Sequence, residues 1–279
     1  MQTCCLDKLR VRGPATAKNK ASPQSFVRRN GYALTNSLTG GPPHFLPASH
    51  TPSLPRKRNH KELIVLHNMV LFLYNKTMVL KNFIVFEGID GAGTSTQIKK
   101  IVESDPEKYI ATAEPTSGPT GKFLRQMLAG DFKVDERTNA YLFAADRCEH
   151  IFGQGGVKAL CESGKIVVSD RYFFSSLAYQ SVSCGLELPQ LLNSPFPLPE
   201  YLFFFDINPE ISLARVNNRK GQKEIYENLE AQKKIAALYE KVISMYESDP
   251  GLKEEMKIIR IDASKSIEDI SHKILEILK

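Results

Sequence analysis

Residues 81 to 279 predict an α/β fold: a five-stranded parallel sheet with helices on both faces and a small lid. Short β-branched or aromatic runs alternate with longer helical stretches, the pattern of successive βαβ units. Several of those runs are apolar almost throughout, as strands buried on both faces are. A glycine-rich turn joins the first strand to the first helix.

The strands are expected at Phe83 to Glu87, Tyr109 to Ala113, Lys165 to Ser169, Tyr201 to Asp206 and Lys257 to Ile261. Helical periodicity covers Ser95 to Glu103, a long stretch from Asp135 to Ser163, Pro209 to Arg219, Glu224 to Tyr246 and Ser266 to Leu278.

The chain has 279 residues, 42% hydrophobic, 24% charged and 9% aromatic, enough apolar content for a packed core and outside the range of fibrous or wholly disordered chains. No apolar run is long enough to cross a bilayer, so a membrane partner is not expected. Residues 1 to 80 carry 12 Lys and Arg against two acids, whereas residues 81 to 279 carry 25 against 29. The formal charge of +6 therefore belongs to the leader, and the mildly acidic remainder argues against nucleic acid as its partner. Residues 1 to 60 hold seven of the 16 prolines and sustain no helical or strand period. Residues 1–77 are read as a disordered or artefactual extension, with Met78 as the natural start; an organelle transit peptide is the alternative. Five cysteines without a CxxC pair suggest a reducing, cytoplasmic setting and no zinc site or disulfide framework.

After the first strand comes Gly88-Ile89-Asp90-Gly91-Ala92-Gly93-Thr94-Ser95-Thr96, leading into a helix. Such a turn aims backbone N–H groups at phosphate oxygens, adds the positive end of the helix, and places a hydroxyl, Ser95, within reach of Mg²⁺. Gly88, Gly93 and Ser95 fit the phosphate-loop pattern, but Thr94 stands where that pattern has lysine. An ordinary glycine turn is the plainer alternative. The third strand ends in Asp170-Arg171-Tyr172, followed by Ser175, Ala178, Tyr179 and Gln180. In open α/β sheets ligands bind at the carboxyl ends of strands, where an acid can hold a metal and an arginine can grip a phosphate; a surface Asp/Arg pair is the bland reading. Phe143 and Arg147 are four apart on one helical face, suited to a planar base or, more simply, a core aromatic beside a solvated arginine. Asp206 to Glu210, then Arg215, Arg219, Lys220 and Lys223, then Tyr226 and Glu227 read as a lid over phosphates or as a solvated basic helix end.

Taken in this order, the segments resemble the thymidylate kinase family, and the resemblance covers nearly all of residues 81 to 279. Asp170-Arg171-Tyr172…Ser175…Ala178-Tyr179-Gln180 is its most specific string; Phe86-Glu87-Gly88-x-Asp90-Gly91-x-Gly93, Phe143…Arg147 and Asp206-x-x-Pro209-Glu210 match in place. The resemblance implies a P-loop kinase fold, ATP-dependent phosphorylation of dTMP to dTDP with Mg²⁺, and a homodimer. It implies that Gly88 to Thr96 hold the ATP phosphates, that Ser95 and Asp170 face the metal, and that Asp90 lies near the substrate sugar and phosphate. By the same likeness Phe143 stacks on thymine, Arg147 donates to its O4, and Arg171 clamps the monophosphate. Ser175, Tyr179 and Gln180 border the nucleoside, and Tyr226 and Glu227 close over it. Three positions depart from the family: Thr94 for lysine, and Ala113 and Ile225 where arginine is common. Each removes a positive charge near phosphate, so Arg219, Lys220 or Lys223 is expected to swing in. The alternatives are a nucleotide-binding pseudokinase, another nucleoside monophosphate kinase, or a nucleic-acid-binding module built on the basic leader.

Overall fold

Val79 to Gly88 form the central strand, β1, of a sheet whose middle is apolar on both faces: Phe83, Ile84, Val85 and Phe86 are all buried. A computed structural model describes residues 79–218, 225–226, 228–252 and 255–279. The expected extension, residues 1–77, lies outside them, as do Arg219, Lys220, Lys223 and Glu227 of the expected lid at 219–228.

The other strands are β2 (Tyr109–Ala113), β3 (Ile166–Asp170), β4 (Leu198–Asp206) and β5 (Lys257–Asp262), in the order β2-β3-β1-β4-β5 and all parallel. Each β-to-β passage therefore needs a crossover, and helices supply it. The register sets Phe86 beside Asp170 on one side and Phe203 on the other, so the ends of β1 and β3 share one edge. Early in β1 the pairing with β4 shifts between Leu80 and Ile84. Asn82 takes φ 63 there, a left-handed conformation asparagine tolerates, and its amide donates to Glu200 Oε2 at 2.8 Å.

The helices are α1 (Thr94–Ser104), α2 (Pro119–Leu128), α3 (Glu136–Phe152), α4 (Val157–Glu162), α5 (Phe173–Tyr179), α6 (Ser181–Cys184), α7 (Glu187–Asn193), α8 (Pro209–Asn218), α9 (Leu229–Glu247) and α10 (Ile267–Ile277). The long helix expected from Asp135 to Ser163 is two. Gly153, Gly155 and Gly156 interrupt it: a Cβ at Gly153 would lie 2.4 Å from Glu149 O, and Gly155 sits at φ 71. The helix expected from Glu224 starts instead at Leu229, where the Asn228 side chain caps it by accepting from the Ala231 amide at 2.9 Å. α2, α5, α6 and α7 are additions: α5, α6 and α7 span only seven, four and seven residues, whereas α2 buries Gly121, Leu124, Met127 and Leu128 on one face, a period present in the sequence but not read from it.

Among the described residues no helix is long and apolar enough to cross a membrane. The core lies on both faces of the sheet, with Tyr172, Phe174, Ile235, Tyr239, Val242 and Ile274 packed against the strand residues.

Candidate active site

The carboxyl edge of β1 and β3 opens into a cavity of about 600 Å³. Its floor is the turn from Ile89 to Thr96. Side-chain-free positions make the turn possible: a Cβ on Gly88 would stand 2.9 Å from Phe205 O, and one on Gly91, at φ 85, 2.6 Å from Ser212 O. Gly93, at φ 99, starts α1 without a side-chain cap, so the first-turn amides of α1 are left for a ligand at the cavity floor. Thr94, half-buried, stands where an ammonium would reach over phosphates.

Ser95 and Asp170 come together across the sheet edge, the serine hydroxyl donating to Asp170 Oδ2. The next residue, Arg171, has φ 71, which a non-glycine residue rarely adopts. Two amides pin it: Arg171 N donates to Phe86 O at 2.9 Å and Tyr172 N to Glu87 Oε1 at 2.8 Å. This turns the guanidinium back over the loop, with Nη2 donating to Asp90 Oδ1 at 2.5 Å and Nη1 to Gly88 O at 3.1 Å. Asp90 also accepts from Gln232 Nε2 at 2.9 Å.

Arg147 is placed differently from a solvated arginine. It is 1% exposed, lies between the Tyr172 and Phe196 rings, and donates to Glu114 Oε2 from Nε (2.9 Å) and Nη2 (2.6 Å), to Asn193 Oδ1 (2.5 Å) and to Ser176 Oγ (3.1 Å). Its guanidinium is thus aimed by four hydrogen bonds while still bordering the cavity, beside half-buried Phe143. Asp146, one residue earlier, accepts from Thr116 N, Thr116 Oγ1 and Thr120 Oγ1 and so ties the β2–α2 loop to α3. Gln180 is 2% exposed and its Oε1 has no hydrogen-bond partner among the described residues, an unusual state for a buried amide and one a ligand donor would relieve. Tyr179 and Tyr226 meet edge to face, ring centroids 5.3 Å apart, at the same wall.

The structure therefore gathers Gly88 to Thr96, Phe143, Arg147, Asp170, Arg171, Ser175, Tyr179, Gln180 and Tyr226 at one edge. Arg219, Lys223 and Glu227 are outside the described residues. Sequence reading gave no role to Glu87, Glu114, Arg125, Gln232 or Tyr239. Glu87 and Glu114 had one available signal, a carboxylate at the end of an otherwise apolar strand; Arg125, which also lines the cavity, had none.

A parallel sheet in this order with a glycine turn feeding an uncapped helix is the architecture of the P-loop nucleotide-binding class. The family model for thymidylate kinase matches residues 86–274. A Treponema pallidum relative named for thymidylate kinase is 39% identical over 203 residues, covering 72% of this chain and 96% of its own length. The thymidylate kinase of Leptospira interrogans is 39% identical over 201 residues, covering 70% and 92%, and that of Thermococcus kodakarensis 37% over 210, covering 71% and 97%. A solved thymidylate kinase structure from Candida albicans shares the fold, with TM-score 0.57 and 24% identity over 70% of this chain and 90% of that one. The chain belongs to the thymidylate kinase family and is a kinase of that family.

Proposed function

We propose that the chain transfers the γ-phosphoryl group of ATP to the 5′-phosphate of dTMP, giving dTDP and ADP, in a reaction assigned to residues 78–279. The carrying observation is convergence: the phosphate loop, the Ser95–Asp170 pair, Arg171 and a wall of Phe143, Tyr179 and Gln180 all border one cavity. A relative without turnover is not favoured by this family membership.

In this reading the amides of Gly88 to Thr96 hold the ATP phosphates, and Arg171 leaves Asp90 to grip the acceptor phosphate bidentately. Phe143 stacks on thymine, Arg147 donates its remaining Nη1 hydrogen to the base, and Gln180 Oε1 accepts a base N–H. Ser175 and Tyr179 flank the nucleoside; Tyr226 and Glu227 close over it. The acceptor phosphate is largely dianionic near neutral pH, so no general base is needed, and the residues contribute alignment, charge and exclusion of water. Ser95 and Asp170 offer a hydroxyl and a carboxylate side by side, hard oxygen donors that fit Mg²⁺. Among the described residues no group of three or more His, Cys, Asp or Glu forms a fuller cage, which suits an ion that takes the rest of its shell from phosphates and water. Bound there, Mg²⁺ would neutralise charge on the transferring phosphates. The charge missing at Thr94 is assigned to Arg219, Lys220 or Lys223.

The exposed stripe Tyr141, Cys148 and Phe152 on one face of α3 supports the family-based reading of a homodimer, which sedimentation would test.

Coupled ADP release from the full chain with dTMP, dUMP, dCMP and dGMP tests the function. dTMP is expected fastest, with dUMP slower by the value of one buried methyl, about 1–3 kcal/mol. Absence of ADP release with dTMP and saturating Mg·ATP would refute the assignment.

A further inference from the structure

Glu87 is the penultimate residue of β1 and immediately precedes Gly88 of the phosphate loop; it is 0% exposed, and the reaction just described gives it no part. A buried carboxylate is costly unless it is bonded. Four hydrogen bonds converge on this one: Oε1 accepts from the amides of Tyr172 (2.8 Å) and Ser175 (3.1 Å), and Oε2 from the hydroxyls of Ser175 (2.6 Å) and Tyr239 (2.8 Å). Those two hydroxyls are 2.8 Å apart, and Arg171 Nη1 reaches them at 3.2 and 3.3 Å. Glu87 is thus joined to Arg171 through the backbone that sets its unusual φ and through the hydroxyls its guanidinium touches.

We propose that Glu87 is a positioning residue of the phosphate clamp: it fixes Arg171 and Ser175 opposite the loop, and takes up a proton from solvent when a nucleotide phosphate settles on Arg171. The inference rests on the reading of Arg171 as the clamp for the acceptor phosphate.

Electrostatics supports the proton. Burial pushes the Glu87 carboxyl from 4.5 up to about 7, against the opposing pull of the Arg171 charge. A dianion docked on Arg171 cancels much of that pull, so the carboxyl moves further up and a fraction of the molecules become protonated near neutrality. The neutral form keeps its bonds: Oε2–H donates to the Ser175 or Tyr239 hydroxyl, which turn to donate elsewhere, while Oε1 goes on accepting both amides. The groups facing this carboxyl are Arg171 from the β3–α5 junction and Tyr239 from α9, with Asp90 from the loop and Tyr179 from α5 reaching it through Arg171; β4 presents the ring of Phe204. Burial drives both tyrosines well above their usual range, so they stay neutral here.

Calorimetric titration of dTMP into the full chain, without ATP, in two buffers of different ionisation heat at about pH 7.5 counts the protons exchanged. The parent is expected to take up a fraction of a proton and to lose dTMP affinity as pH rises from about 7 to about 8.5, by at most about tenfold per unit. Glu87→Gln is expected to exchange none and to bind with a flat pH profile. Tyr239→Phe removes one donor to the carboxylate and is expected to move the midpoint of the profile to higher pH. Equal uptake in the parent and Glu87→Gln, or dTMP binding by the parent without uptake, overturns the inference alone. A parent that binds no dTMP overturns the clamp reading and the inference with it. If Glu87→Gln does not fold, an unmoved midpoint in Tyr239→Phe overturns the inference.

Discussion

Arg147 Nη2 lies 2.6 Å from Glu114 Oε2, and the two side chains are 1% and 3% exposed, so an ion pair from α3 and the residue after β2 is enclosed in the cavity wall. Removing one partner strands a buried charge. Glu114→Ala is expected to lower unfolding free energy by about 3–5 kcal/mol, and Glu114→Gln, which keeps an acceptor, by clearly less. Urea unfolding of both variants checks this; equal losses would show that the charge of Glu114 is not what holds Arg147.

Thr94→Lys restores an ammonium at the loop. We expect kcat to rise by roughly ten- to a thousandfold with little change in the KM for dTMP, because the added charge acts on the transferring phosphate. An unchanged kcat would show that position 94 lacks no catalytic charge. Neutralising Arg219, Lys220 and Lys223 together is expected to lower kcat; untouched turnover refutes the substitution of the lysine by those residues.

Ser95→Ala and Asp170→Asn are each expected to raise the Mg²⁺ concentration needed for half-maximal rate by about tenfold or more, with dTMP binding measured in the absence of metal left unchanged. Parallel losses in both readouts would place these residues in the fold rather than at the ion.

Glu87 binds a proton in the folded chain up to about pH 7 but releases it near 4.5 when unfolded. Between those values the folded form holds more protons, so the contribution of Glu87 to stability is present at low pH and declines as pH rises, by at most about 1.4 kcal/mol per unit. Glu87→Gln is expected to flatten this part of the difference profile between the two proteins. Thermal unfolding from about pH 4.5 to about pH 7.5 measures it, and parallel profiles would contradict the burial argument.

Two loop glycines separate steric clash from backbone strain. Gly91→Ala would press a Cβ to 2.6 Å from Ser212 O at φ 85, whereas Gly93→Ala, at φ 99, meets nothing within 4 Å among the described residues. The first is expected to cost more stability than the second, which carries only the left-handed penalty of about 1 kcal/mol. Equal losses would mean that the Ser212 carbonyl yields to the added methyl.

Features that depend on neighbours along the chain were legible in the residues alone. Runs such as Phe83 to Phe86 form a strand where expected because a strand buried on both faces must be apolar throughout, and Gly88 to Thr96 announces a turn because only glycine fits its conformations and close approaches. The phosphate-loop and Asp170-Arg171-Tyr172 strings were legible for the same reason. The break at Gly153 was legible in principle, but the helical period on either side masked it. The packed chain alone reveals that Arg147 is enclosed rather than solvated, that Glu87 holds Arg171 from behind, that Gln232 reaches Asp90 of the loop and that Tyr239 reaches Glu87. Those outcomes come from hydrogen-bond partners 29 to 152 residues away, which fix burial and charge environment together. No local period records such distances, because desolvation and ion pairing depend on which surfaces the sheet order brings face to face.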